Sequence, residues 1–233
     1  MSQPVPQSPQ KLAVLISGRG SNLAAIVDAI EDGRLSACQV SVVISNKKNA
    51  AGLDIARQAN IPAEVVTMRD LLSDEKKPLE VFDAEILAIL RQYHIDAVAL
   101  AGYGRIISSV LLEAYAGRIV NIHPSLLPDF GGKGMLGNAV HQAVLEASRT
   151  NTDTPIKTES GCSVHLVSET IDGGPILGQA KVPVLTEDTV ESLSRRVLSQ
   201  EHKLYPAVLQ AWVSLGYPAR RLLDLDAQAV GVL

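Results

Sequence analysis

Two stretches of this chain, far apart in sequence, carry side chains suited to polarising a carbonyl group. Asn121 and His123 stand two apart in the apolar run Ile119-Val120-Asn121-Ile122-His123, which Pro124 stops at once. Residues two apart on a strand point to the same side of a sheet, and the proline puts the pair at the strand's carboxyl end. An amide and an imidazole aimed at one point can stabilise an oxygen that is becoming negative. Asp172 precedes Gly173 and Gly174, a turn that lets backbone approach whatever it faces. A carboxylate beside His123 favours the imidazolium form and moves its pKa upward from about 6.5. Each residue also has a plainer reading. Asn121 could cap a turn, His123 could be a hydrogen-bonded core residue, and Asp172 could be an ordinary Asp-Gly turn residue. Spacing alone does not choose.

A third candidate is the turn Gly18-Arg19-Gly20-Ser21-Asn22. Between a strand and a helix, such glycines let backbone N–H groups converge while the helix presents its positive end to an anion. Leu23 stands where a dinucleotide fingerprint needs its third glycine, and Ser45-Asn46-Lys47 offers no acid for a ribose hydroxyl. A P-loop's Lys followed by Ser or Thr is also missing. The turn suits a single phosphate, or is a tight turn without a ligand. His94, His141, His165 and His202 have no ligand spacing, so no metal is expected, and His165, inside an apolar strand, reads as structural. Ser125 lacks the context of a hydrolase elbow.

Alternating strands and helices must position these residues. Residues 11–17 read as a strand, 23–32 as a helix ended by Gly33, 38–45 as a strand, 51–60 as a helix and 63–67 as a short strand. A helix at 79–93 follows the charged stretch 69–77. Strands at 97–101 and 119–123 flank a short helix at 110–115. A glycine-rich loop at 131–134 leads to a helix at 139–148. Strands at 163–167 and 176–184 fit an antiparallel addition. An amphipathic helix from 190 is expected to break or kink at Pro206. The pattern predicts an α/β fold of Rossmann-like type: a mostly parallel twisted sheet of about seven strands with helices on both faces and ligands at the strands' carboxyl ends. Residues 11–216 are read as one domain, with 11–120 the phosphate-binding half and 121–216 the catalytic half. Residues 1–10 and 217–233 are read as tails.

Composition agrees. Of 233 residues, 46% are hydrophobic but only 3% aromatic, so the core must be built from Val, Ile, Leu and Ala, which suits a parallel sheet covered on both faces. A net charge of −4 leaves no basic surplus for nucleic acid. No segment has the roughly 18 apolar residues that span a bilayer. Residues 1–10 lack the features of a secretory signal, so no membrane partner and a cytoplasmic location are expected. Cys38 and Cys162 fit neither a disulfide framework nor a zinc pattern and read as buried small hydrophobes.

The string Asn121-Ile122-His123-Pro124-Ser125-Leu126-Leu127-Pro128, with Asp172-Gly173-Gly174-Pro175, resembles the folate-dependent formyltransferases. Leu15-Ile16-Ser17-Gly18-Arg19-Gly20-Ser21-Asn22-Leu23 and Gln200-Glu201-His202 resemble their phosphoribosylglycinamide branch. The resemblance extends from Lys11 to Trp212 and implies a formyltransferase fold. It also implies transfer of a formyl group from 10-formyltetrahydrofolate, as co-substrate, to the amine of glycinamide ribonucleotide, in de novo purine biosynthesis. Partners would be small molecules, the enzyme a monomer or homodimer. Gly20, Ser21 and Asn22 would hold the acceptor's phosphate and Glu201 its ribose hydroxyls. The folate would lie along Tyr103 and Gly104, Arg105, Ile106 and Ile107. Asn121 and protonated His123 would stabilise the oxyanion. Asp172 would charge His123 and organise the water that relays the proton. A different amine acceptor, or a silent folate- or nucleotide-binding module, are the alternatives.

The chain departs from this pattern in four places. The loop Asp129-Phe130-Gly131-Gly132-Lys133-Gly134-Met135-Leu136-Gly137 and the stretch 149–159 are long. Leu79 stands where many members have an Arg near the folate tail, with Lys76 or Lys77 as substitutes, and Gly104 replaces a larger apolar residue.

Overall fold

The computed structural model describes residues 9–67, 79–149 and 158–226. Lys76, Lys77 and residues 150–157 of the long stretch lie outside the described residues. The chain runs β1 (Gln10–Ile16), α1 (Ser21–Glu31), β2 (Cys38–Ser45), α2 (Gly52–Gln58), β3 (Ala63–Val65) and α3 (Leu79–Gln92). It continues through β4 (Ala97–Leu100), α4 (Ser109–Ala114), β5 (Ile119–His123), α5 (Asn138–Arg149), β6 (Glu159–Leu166) and β7 (Ile176–Pro183). The last elements are α6 (Val190–Ser214) and β8 (Leu223–Asp226).

One sheet holds all of these strands in the order β3-β2-β1-β4-β5-β6-β7-β8. Pairing is parallel from β3 to β5, antiparallel for β5–β6 and β6–β7, and parallel again for β7–β8. Among the described residues the sheet has eight strands, one more than the expected mostly parallel sheet of about seven. The additional strand lies in the segment read as a tail. Its sequence, Leu-Asp-Leu-Asp, is short and half acidic, and its pairing depends on backbone groups of β7, which the strand's own residues do not announce.

Both faces of the sheet are covered, which is why β1 reads as apolar without a break from Leu12 to Ile16. Leu12, Val14 and Ile16 face one core with Leu23 and Ile26 of α1, Leu53 of α2, Val144 of α5 and Leu204 of α6. Ala13 and Leu15, of opposite parity, face a second core with Phe82, Ile86 and Leu90 of α3 and Leu111 of α4. Helix α6 does not stop at Pro206 but continues to Ser214. An interior proline costs about 3 kcal/mol. Burial of Leu204, Tyr205, Val208, Leu209 and Trp212, all fully inside, offsets that cost. Tyr205 also donates its hydroxyl to the carbonyls of Leu100 (3.1 Å) and Val120 (3.3 Å), tying α6 to β4 and β5.

Candidate active site

The strand order reverses between β1 and β4, the switch point at which open α/β sheets leave a crevice. A cleft of about 800 Å³ opens there. Gly20, Ser21 and Asn22 after β1, Gly104, Arg105, Ile106 and Ile107 after β4, Asn121 and His123 of β5, Asp172 and Glu201 all line it. The structure thus brings every sequence-predicted site residue to one cavity.

The glycine turn is built tightly. Gly20 has φ +78°, and a Cβ on it would lie 2.5 Å from the Gly52 Cα, so only glycine lets the start of α1 rest on the start of α2. Gly52 donates its N–H to the Gly18 carbonyl at 3.0 Å, fixing the same contact. Asn22, in the first turn of α1, donates its amide to a Glu201 carboxylate oxygen at 2.7 Å. Glu201 is 7% exposed. Burial pushes its pKa up, with the Asn22 hydrogen bond opposing.

Across the cleft, β5 and β6 are antiparallel neighbours, and Asn121 stands directly opposite His165. The Asn121 amide nitrogen lies 3.1 Å from His165 Nε2. His165 Nδ1 lies 2.9 Å from the Leu166 carbonyl, a partner that can only accept. With Nδ1 carrying a proton toward that carbonyl, the neutral tautomer of the ring offers Nε2 as an acceptor for the Asn121 amide. One Asn121 N–H is spent on this contact, which sets the plane in which the other is presented. His165 Nε2 is also 3.5 Å from one Asp172 oxygen, and His123 Nδ1 is 3.5 Å from the other. Asp172 has φ +54° and accepts the Gly132 N–H at 2.9 Å, which joins the glycine-rich loop to the cluster.

One expectation is sharpened here and another corrected. His165, read as structural, is part of the site's framework and lies between Asn121 and Asp172. A single sequence hides this, because parity along β6 puts His165 on a side that only the pairing with β5 turns into a site. The direction of the His123 shift is reversed. Burial lowers its pKa and outweighs the raising effects of Asp172 and of the Phe130 carbonyl; His165 adds to the lowering. His123 Nε2 donates to that carbonyl at 2.9 Å. For Asp172, burial raises the pKa, but the His165 ring, the Gly132 N–H and His123 outweigh it, leaving it below the ordinary carboxyl value. His141 of α5 is a further residue not singled out for the site. It is buried and lines the cleft, and burial followed by the charge of His123 lowers its pKa.

The segment after β5 is held from the neighbouring strands. Ser163 accepts the Leu127 N–H at 2.9 Å and donates to the Ser125 carbonyl at 2.7 Å. The Gln179 amide donates to Ser163 Oγ and to the Leu127 carbonyl. On the far wall the Gly104 N–H is held by Ser17 Oγ at 2.7 Å, and Ser17 donates to Asn46 at 2.6 Å. Three large apolar side chains, Ile106, Leu136 and Ile171, stay exposed beside the same cleft and give it an apolar rim. Cys38 and Cys162 are buried and unpaired. Among the described residues no three His, Cys, Asp or Glu side chains are grouped to hold a metal ion, and no helix is long and apolar enough to cross a membrane.

A switch-point cleft that combines a glycine turn at a helix start with an Asn–His–Asp cluster marks an α/β domain with a candidate active site. The chain belongs to the formyl transferase family, whose model matches residues 10–209. It is 41% identical over 205 residues to the phosphoribosylglycinamide formyltransferase of Escherichia coli, covering 88% of this chain and 87% of that protein. It is 44% identical over 200 residues to the human trifunctional purine biosynthetic protein adenosine-3, covering 86% of this chain but 18% of that protein. The crystal structure of glycinamide ribonucleotide transformylase 1 from Symbiobacterium toebii superposes with a TM-score of 0.78 at 38% identity, covering 92% of this chain and 94% of that one.

Proposed function

We propose that this chain transfers a formyl group from 10-formyltetrahydrofolate to the amine of glycinamide ribonucleotide, a step of purine biosynthesis, in the cytoplasm. The observation that carries the reading is the meeting of Asn121, His123 and Asp172 in one cleft, between the Gly20–Asn22 turn with Glu201 and the 104–107 segment. The likeness to the Escherichia coli enzyme over nearly the whole of both chains supports the same acceptor.

The acceptor's phosphate lies on the N–H groups of Gly20, Ser21 and Asn22 at the start of α1, and Glu201 takes its ribose hydroxyls. The folate lies along Gly104, Arg105, Ile106 and Ile107. The acceptor amine attacks the formyl carbon, forming a C–N bond, and the formyl oxygen becomes an oxyanion. The free Asn121 N–H stabilises that charge, and His123 joins it when its Nε2–H turns from the Phe130 carbonyl to the oxygen. Burial keeps His123 neutral in the free protein at pH 7, but a negative oxygen beside it raises its proton affinity, and Asp172 adds to that pull. Collapse breaks the bond from the formyl carbon to the folate nitrogen. The proton lost by the amine passes, through water organised by Asp172, to that nitrogen.

The test incubates the purified protein with both substrates and follows the absorbance of the released folate. Release that requires the acceptor, and yields formylated acceptor by mass spectrometry, is the expected result. Folate release at the same rate without acceptor, or formyl transfer only to other amines, would overturn the reading.

A further inference from the structure

The segment from Tyr103 to Ser108 forms one wall of the cleft, and its two ends are held differently. Gly104 is fixed by Ser17, as described. At the other end the Ser108 N–H meets a carboxylate: Asp83 of α3 accepts it at 2.6 Å. Asp83 is fully buried. Between the two ends the Arg105 guanidinium stacks 4.2 Å above the ring of Phe82, the residue before Asp83. Burial raises the Asp83 pKa, opposed by Ser108 and by Arg105. Its second oxygen, Oδ1, has no hydrogen-bond partner among the described residues, nor do Tyr103 Oη, Arg105 Nε and Ser108 Oγ.

For stability alone this is a poor arrangement. A buried carboxylate with one oxygen unsatisfied is costly to take out of water. What the carboxylate provides is a strong hydrogen bond to one backbone N–H at the point where the cleft wall turns into α4. Charged acceptors make shorter and stronger bonds than neutral ones. Ser108 is also the residue that caps α4, and its own side chain makes no capping bond, so Asp83 takes over that anchoring. The three residues between the anchors, Arg105, Ile106 and Ile107, make no backbone–backbone hydrogen bond among the described residues outside the regular elements. The two anchors bracket these three residues, and Ile107 between them packs into the second core.

We infer that Asp83 is a positioning residue for the donor side of the cleft: through the Ser108 N–H, and with Phe82 beneath Arg105, it fixes the 104–107 wall on which the folate lies, without touching either substrate. The inference rests on the reading of this wall as the folate side. It separates two functions of one cavity, since Asn22 and Glu201 set the acceptor side independently.

The experiment compares wild type, Asp83→Asn and Asp83→Ala by direct binding of a stable, non-reactive folate, by steady-state kinetics with both substrates, and by amide hydrogen exchange. Wild-type turnover with both substrates is measured first, and its failure counts against the proposed function rather than against Asp83. Loss of a hydrogen bond to a charged group corresponds to about a tenfold change or more. Asp83→Ala is expected to weaken folate binding and raise the folate KM about tenfold, with the acceptor KM and kcat at saturation within about twofold. Asp83→Asn keeps an acceptor oxygen for Ser108 and is expected to restore folate affinity to within about threefold of wild type. Exchange over 104–108 should rise in Asp83→Ala while β4 and β5 keep their protection. Unchanged folate affinity in Asp83→Ala, or a parallel rise of both KM values with a lowered kcat, would overturn the inference. If Asp83→Ala does not fold, the wild-type protein still decides: a Ser108 amide that exchanges at the rate of an open loop contradicts the clamp.

Discussion

At the scale of residues, one carboxylate serves two imidazoles, and the difference between the two rings is set by what lies behind each. His165 turns Nδ1 to a carbonyl and so faces Asn121 and Asp172 with Nε2, whereas His123 turns Nε2 to a carbonyl and so faces Asp172 with Nδ1. Asn121→Ala or His123→Ala is expected to lower kcat by about 100- to 1000-fold, the usual cost of one oxyanion donor, with the fold intact by circular dichroism. Activity within about tenfold of wild type in either variant removes that role. His165→Ala leaves Asn121 without its orienting partner. A kcat lowered by about tenfold or more, with both KM values near wild type, is expected in steady-state assays. The His123 titration gives a further check with a definite sign. Its ring resonances in two-dimensional NMR should titrate with a midpoint below about 6.5. In Asp172→Asn the midpoint should fall further, because the carboxylate's attraction opposes burial and is then gone. An upward shift in that variant contradicts the electrostatic account.

At the scale of elements, the site depends on how loops are fixed at strand ends. Ser163→Ala removes the hydroxyl that holds the segment after Pro124 and leaves the Leu127 N–H without its partner. A buried unsatisfied group costs about 1–3 kcal/mol, so the denaturant midpoint should fall correspondingly, with a lower kcat as well. Gly20→Ala forces a Cβ against Gly52 at a positive φ and is expected to raise the acceptor KM more than the folate KM. The sequence announced the elements that these loops join, because β1, β2, β4 and β5 are predominantly apolar runs ended by Gly, Ser-Asn or Pro. It placed Asn121 and His123 correctly at a strand's end. It could not reveal Asp83, Ser17 or His165 as parts of the site's support, because each works through a residue at least 25 positions away in sequence, across a contact that only the folded sheet creates. The sign of the His123 shift was hidden for the same reason. A neighbouring carboxylate can be guessed from a motif, but the degree of burial cannot.

At the scale of the whole molecule, a single sheet carries both sides of the cleft, and α6 fastens the middle of that sheet through Tyr205. The edge beyond β7 is closed by β8, where Gly178 leaves room for its neighbour. A Cβ at Gly178 would lie 2.6 Å from the Leu223 carbonyl oxygen and 2.7 Å from a Val208 methyl. Gly178→Ala is therefore expected to destabilise the fold by about 1–3 kcal/mol, the usual cost of overpacking, as read by thermal melting. Because Gly178 does not line the cleft, both KM values should stay near wild type at temperatures where the variant is folded. A variant as stable as wild type would mean that β8 is not held against β7 as described.

The cross-strand pair of Asn121 and His165 makes chemistry a witness to folding. A strand slipped by a single residue would send one of these side chains to the reverse side of the sheet, although the chain could still be compact and rich in β-structure. After refolding from denaturant, spectroscopy counts every collapsed molecule, whereas catalysis counts only those whose fifth and sixth strands have met in the right alignment.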